Sequence, residues 1–246
     1  MFKLLSVIAG ALSATVATGG EPPHRPRVAI IDSGVAKTPE LAALVVAEYD
    51  MASSPARTAF QPRFDHGTMV ATILARAASH KVEIVSLRID DPAGCPADAN
   101  PPCQPSGEPV AQAIRQAADL GVDAINISLA LGNDAVITDA VRYAGAKGIP
   151  VILAAGNQGL DQPANLAMAR AAYPSAVLVG AIDGTGSPWS GTNRPDPKPV
   201  GYNYVWHFGV NVPTSAADGR SVTATGTSFA APIETARLLT ARSSVE

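Results

Sequence analysis

Arg27-Val28-Ala29-Ile30-Ile31-Asp32-Ser33-Gly34 is the stretch on which the fold turns. Apolar residues follow one another without a polar break, run into an acid, and stop at a Ser-Gly turn. The run is too short for a helix and lacks the alternation of a half-exposed strand. It therefore reads as a strand covered on both faces, the habit of parallel sheets. Further strand-like runs recur at residues 151–155 and 176–182, and, with polar residues among the apolar ones, at 82–89 and 124–128. Helical patterns lie between them: one opened by His66 and running through Leu74, one over residues 110–120 with Ile114, Ala117 and Ala118 on its apolar face, and one over 134–147. Gly121 and Gly148 stop the second and third. A last helix runs from Ser228 to about Ala241. Strands alternating with amphipathic helices predict βαβ units. The expected fold is α/β: three layers, α/β/α, around a mostly parallel, doubly wound sheet. Functional groups then gather at the carboxyl ends of the strands, where Asp32, Ser128 and Asn157 fall. The Pro-, Gly-, Thr- and Asn-rich segment 184–220 reads as surface loops and short strands of the same domain.

Composition narrows the function classes. The 246 residues carry a formal charge of −3 and 47% hydrophobic residues. No basic stripe favours nucleic acid, and the apolar content is too high for a disordered chain. Residues 1–20 resemble a secretory leader: Lys3 precedes an apolar stretch from Leu4 to Val16 and then small residues. The stretch is short for an uncleaved membrane anchor. Residues 21–26 form a Pro-rich spacer, and 27–246 one domain. The two cysteines, Cys95 and Cys103, share a Pro-rich loop. With an export signal and no His or further Cys nearby, they read as one local disulfide, the alternative being two free thiols.

The chemistry resides in three short strings. Asp32-Ser33-Gly34, His66-Gly67-Thr68 and Gly226-Thr227-Ser228-Phe229-Ala230-Ala231-Pro232 supply an acid, a base and a nucleophile. Singly, each has a plain structural explanation: a turn residue, a helix start, an N-cap. Together they stand in the order Asp, His, Ser, one of the known triad orders. The strings, with Asp123-Ala124-Ile125-Asn126-Ile127-Ser128-Leu129 and Ala154-Ala155-Gly156-Asn157, resemble the motifs of the subtilisin-like serine proteases from about Arg27 to Ala241. That resemblance implies a subtilisin-like catalytic domain with Asp32, His66 and Ser228 as its triad. Asn157 and the Ser228 backbone N–H would form the oxyanion hole. Ser128, Leu129 and Ala130 would pair with extended substrate, beside Ala155 and Gly156. It also implies an exported endopeptidase, secreted or periplasmic, acting on proteins or peptides.

Several positions depart from the family pattern. The spacer before Arg27 is short where secreted relatives carry a folded pro-domain, which points to unaided folding or to a chaperone or inhibitor acting in trans. Segment 75–81 lacks the Asn-containing calcium loop, so no metal and no cofactor are expected. The chain ends soon after the serine helix. Ala130 stands where Gly is frequent and narrows the expected cleft. Phe229 replaces a frequent Met and removes an oxidisable thioether. Two other readings remain beside the protease: an inactive subtilase domain that binds peptides, and an esterase-like serine hydrolase. Against the latter, no Gly-x-Ser-x-Gly elbow surrounds Ser228.

Overall fold

Val28, Ala29, Ile30 and Ile31 are fully buried, as a strand covered on both faces must be. The structure is a computed structural model and describes residues 25–97, 99, 101–198 and 200–243. The leader expected over residues 1–20 lies outside them. The elements run β1 (Arg27–Asp32), β2 (Val45–Asp50), α1 (His66–Ala77), β3 (Glu83–Arg88), α2 (Glu108–Asp119), β4 (Ala124–Ile127), α3 (Ala135–Ala146) and β5 (Val151–Ala154). They continue with α4 (Leu166–Ala171), β6 (Ala176–Ile182), β7 (Asn203–Phe208), β8 (Val212–Ser215), β9 (Ser221–Ala224) and α5 (Thr227–Ser243).

Seven strands form one sheet in the order β2-β3-β1-β4-β5-β6-β7, and every pairing is parallel. Successive side chains of β1 enter opposite layers, as the pleat requires. Ile31 packs with Leu87, Ile125 and Leu153 under α2, α3 and α4. Ile30 packs with Ile84, Ile152 and Val179 under α1 and α5. The result is the three-layer α/β/α fold expected from the sequence. Among the described residues no helix is long and apolar enough to cross a membrane.

The topology places the site. From β1 the chain moves outward to β2 and β3 on one side, then crosses back to β4 and proceeds to β7 on the other. The winding reverses between β1 and β4, and a crevice opens there at the carboxyl ends. Asp32 ends β1, and Ser128 follows β4 directly.

The two sheet edges went unread in the sequence. Edge strand β2 leaves Val46 and Tyr49 exposed, so its sequence lacks the continuous apolar signature. Segment 184–220, expected as surface loops and short strands, contains β7, a six-residue strand that joins the main sheet at its edge beside β6. None of the six residues of β7 is fully buried, which explains the weak signal. The same region also supplies the antiparallel strand β8, which pairs with β9.

Candidate active site

Asp32 is wholly buried at the end of β1, and His66 opens α1 with its side chain 17% exposed. His66 Nδ1 lies 2.9 Å from both Asp32 oxygens. Nδ1–H therefore donates to the carboxylate, and Nε2 is left as the basic nitrogen. Asp32 Oδ1 also accepts from the Ser33 amide at 2.7 Å and the Ser33 hydroxyl at 3.2 Å. The turn after Asp32 is stitched to α1: Gly67 N donates to Ser33 Oγ, and Ala36 N to Thr68 Oγ1. A side chain at position 67 would strike the Gly34 carbonyl, so a glycine after the histidine is a packing requirement. Burial alone disfavours the imidazolium. The Asp32 charge and hydrogen bond outweigh it, and the His66 pKa lies above the ordinary histidine value.

Ser228 is the second residue of α5 and is buried, 7% exposed. The ring of its neighbour Phe229 lies 5.4 Å from that of His66, which brings the start of the helix beside the imidazole. Pro232 is inside α5 and has no N–H to give the Ser228 carbonyl four residues earlier. The Ser128 hydroxyl donates to that carbonyl at 2.8 Å instead. Ser128 in turn accepts from Asn126 Nδ2 at 3.0 Å, and Asn126 Oδ1 accepts from Thr235 Oγ1 at 2.9 Å. The carboxyl end of β4 is thereby sewn to α5 through buried, satisfied polar groups.

Asn157 follows β5 and is exposed. Its Oδ1 accepts from both the backbone N–H and the hydroxyl of Thr227, each at 2.9 Å. Two donors require the carbonyl end of the amide, which leaves Nδ2 as the end available to a ligand. Of the other expected substrate contacts, Leu129, Ala155 and Gly156 are buried, and Ala130 is exposed. Ser128 turns its side chain inward to Ser228, so a peptide would meet its main chain. A cavity of about 240 Å³ adjoins Ala130 and is lined also by Gln104, Ser106, Val110, Asn133 and Ile137. Cys95 and Cys103 are disulfide-bonded, and Asp91 N donates to the Cys103 carbonyl. The closed loop thus leads directly into the cavity wall at Gln104.

Three supports were missed in the sequence. Glu48 accepts from Val35 N at 3.0 Å, Ser86 Oγ at 2.8 Å and Phe60 N at 2.8 Å, so it holds both the turn after Asp32 and the loop before His66. Arg57 bridges Asp50 and the buried Asp90 at 2.7 and 3.0 Å. Burial opposes the charge on Asp50, but the Arg57 guanidinium and two backbone N–H groups hold its pKa down at about 2. Asn193 braces residues 155–160. An isolated Glu, Arg or Asn carries no motif, and only the fold brings these groups to the crevice. At segment 75–81, the Glu40 carboxylate accepts from Arg76 Nε and Nη2 at 2.8 Å each and lies 3.2 Å from His80 Nε2.

Known proteins resemble this chain in sequence and in fold. A thermophilic serine proteinase from Bacillus sp. (strain AK1) is 31% identical over 169 residues, 63% of this chain and 38% of that protein. Thermitase from Thermoactinomyces vulgaris is 31% identical over 169 residues, 64% of this chain and 55% of its own. The chain thus spans 38–55% of the length of these two relatives. In fold it is similar to a cold adapted subtilisin-like serine proteinase, with a TM-score of 0.70 at 24% identity over 88% of this chain and 75% of that one. The protease domain of PatA aligns with a TM-score of 0.69 at 24% identity, over 90% of this chain and 81% of that one. A model of the subtilase family matches residues 24–243, which takes in every site residue above, and the chain belongs to the subtilase family.

Proposed function

We propose that this protein is an exported serine endopeptidase that cleaves peptide bonds through an acyl-enzyme, with Asp32, His66 and Ser228 as its triad. The observation that carries the reading is the Asp32–His66 pair, 2.9 Å apart, beside the helix start that bears Ser228. Ser228 Oγ attacks the carbonyl carbon while His66 Nε2 takes its proton. Asp32 holds the tautomer and stabilises the imidazolium. The oxyanion is met by Asn157 Nδ2 and the Ser228 N–H, where the α5 dipole adds its positive end. His66 returns the proton to the departing amine, and water then releases the acyl group by the same route. Substrate lies as an added strand along Ser128, Leu129 and Ala130, with Ala155 and Gly156 walling the reacting residue. Residues 27–246 are the catalytic domain. Residues 1–20 direct export, and 21–26 are a spacer.

The test is reaction with a fluorophosphonate probe, native chain against Ser228→Ala, together with turnover of matched peptide and ester substrates. The expected result is labelling that requires Ser228 and hydrolysis of both bonds. Ester-only turnover would make the protein a different serine hydrolase. Peptide binding with neither labelling nor turnover would make it a binding module.

A further inference from the structure

Asn193 lies after β6, outside every motif string, and is fully buried. Its contacts converge on one segment. Asn193 N donates to the Gly156 carbonyl at 3.0 Å. Its Nδ2 donates to the Ala155 carbonyl at 3.1 Å and to Gln158 Oε1 at 2.9 Å. Its Oδ1 accepts from Gln158 N at 3.1 Å and Leu160 N at 3.0 Å. These partners flank Asn157 on both sides. Gly156 has φ +103°, and a Cβ there would collide with Asn193 Nδ2, so the two chains approach as closely as glycine permits. Asn193 is itself anchored: Tyr204 OH, from β7, donates to its carbonyl at 2.7 Å, and the neighbouring Thr192 Oγ1 bonds both the amide and the carbonyl of Ala181 in β6.

We propose that Asn193 is the positioning residue of the oxyanion hole: it fixes the backbone that carries Asn157, while Thr227 fixes the Asn157 side chain. The inference rests on the protease reading above. A donor aimed at developing charge accelerates a reaction only if it is already in place, since reorganising it during the reaction consumes the gain. Residues 155–160 lie beyond β5 with no helix or strand of their own. Main-chain bonds from Ala155 N to Val179 and from Gly159 N to Gly191, and the Gly156 N bond to Thr227 Oγ1, hold part of the segment, and the Asn193 side chain holds residues 155, 158 and 160 together. That side chain must donate on one edge and accept on the other, and a primary amide is the group that does both at this size. A carboxylate would confront the Ala155 carbonyl with a second acceptor.

The experiment is a double-mutant cycle on the full chain, with steady-state peptide hydrolysis and a thermal melt for each of wild type, Asn193→Asp, Asn157→Ala and the pair. Asn193→Asp should lower kcat by about 10- to 100-fold, less than the 10²–10³ known for loss of an oxyanion-hole asparagine in this family. In the Asn157→Ala background the same substitution should leave kcat almost unchanged, because the one donor that Asn193 aims is already gone. Equal losses in both backgrounds would make Asn193 a stability residue and overturn the proposal, as would a parental kcat in Asn193→Asp. Should Asn193→Asp fail to fold, Tyr204→Phe removes the anchor on the Asn193 carbonyl without a change of shape. It should give a smaller kcat loss with the same dependence on Asn157, and additive losses there overturn the proposal equally. A wild-type chain that neither takes the fluorophosphonate nor cleaves peptide removes the protease reading itself. An active wild type with an additive cycle removes the role of Asn193 alone.

Discussion

The Ser128 hydroxyl donates to the main-chain carbonyl of Ser228, the carbonyl that Pro232 leaves without its helical donor. Two features of the serine motif are thereby joined. A proline four residues after the nucleophile opens a hydrogen-bonding vacancy in the first turn of α5. A serine at the end of β4 fills it, and through it the strand expected to bind substrate touches the residue expected to react with it. The link is buried and continues through Asn126 to Thr235, so it has no access to water as a substitute partner.

Ser128→Ala should therefore lower stability by about 1–3 kcal/mol, the cost of a buried carbonyl left unsatisfied. Pro232→Ala, harmless or nearly so alone, should recover part of that loss in the Ser128→Ala background, since alanine in place of Pro232 brings back the missing N–H. Melting temperatures of the four chains test this. A Pro232→Ala change that adds to the damage would show that Ser128 acts by packing.

Thr227 orients the Asn157 amide with two donors. Thr227→Val removes the hydroxyl and keeps the shape and the backbone N–H. It should lower kcat about tenfold with KM little changed, whereas Asn157→Ala should cost about 10²–10³ in kcat. Equal rates for Thr227→Val and wild type would show that the backbone N–H alone suffices.

The raised His66 pKa has opposite consequences for stability and activity. The folded value exceeds the unfolded one, so the His66⁺–Asp32⁻ pair adds stability that is fully present below about pH 6.5 and is lost as pH rises through the folded value. Catalysis needs the neutral ring. The acid limb of kcat/KM should therefore lie above about pH 6.5, and activity should grow over the range where this stability is lost. NMR titration of His66 in Ser228→Ala reads the value directly. Asp32→Asn should move it downward, and an unmoved titration would remove Asp32 from that role.

Much of this was legible in the sequence because it depends on local strings. Buried strands leave apolar runs, unbroken in β5 and β6, nearly so in β1 and β4, and still apolar-rich in β3. The proposed acid, base and nucleophile sit in turns and helix starts whose steric demands leave a written trace, such as the Gly67 that packs on Gly34. What went unread depends on contacts across the chain. Strands β2 and β7 bury too little surface to show a pattern. Glu48, Arg57 and Asn193 act through partners 7 to 38 residues away in sequence. Their hydrogen-bonding needs are invisible until the loops are assembled.

Glu40 bears on the metal question. It lies in the segment that follows the Asp32 turn and is held by Arg76 and His80 at the far end of α1, while Arg76 also donates to the Pro213 carbonyl. A guanidinium occupies this carboxylate, so melting temperature should not respond to chelator or to added calcium. The Arg76 hydrogen bond leads in lowering the Glu40 pKa against the opposing effect of burial. The clasp therefore contributes above about pH 4.5 and is lost as pH falls through the lowered folded value. Being largely solvent-exposed, it is worth at most about 1 kcal/mol. Glu40→Gln should shift the melt by a few degrees at about pH 7 and by less near pH 3. A melt that falls with chelator and recovers with calcium would reject the clasp as the metal's replacement.

The Cys95–Cys103 disulfide offers a separate handle on substrate selection. It closes a loop between β3 and α2, its cysteines 8 residues apart in sequence, and the chain passes from Cys103 into Gln104 and Ser106 of the cavity beside Ala130. By the chain-entropy account, a loop of this size contributes about 2–3 kcal/mol. Reduction, or the paired Cys95→Ser and Cys103→Ser change, should lower the melting temperature by roughly 5–10 °C. The proposed triad lies on β1, α1 and α5, none of which the loop belongs to, so kcat on a short substrate should hold. The cavity wall should loosen instead, and KM should rise for peptides long enough to reach past Ala130 while staying constant for shorter ones. Mass spectrometry of protein isolated from an oxidising compartment should show the bond. An equal change of KM for long and short peptides would place the effect of the disulfide on general stability and away from the cavity.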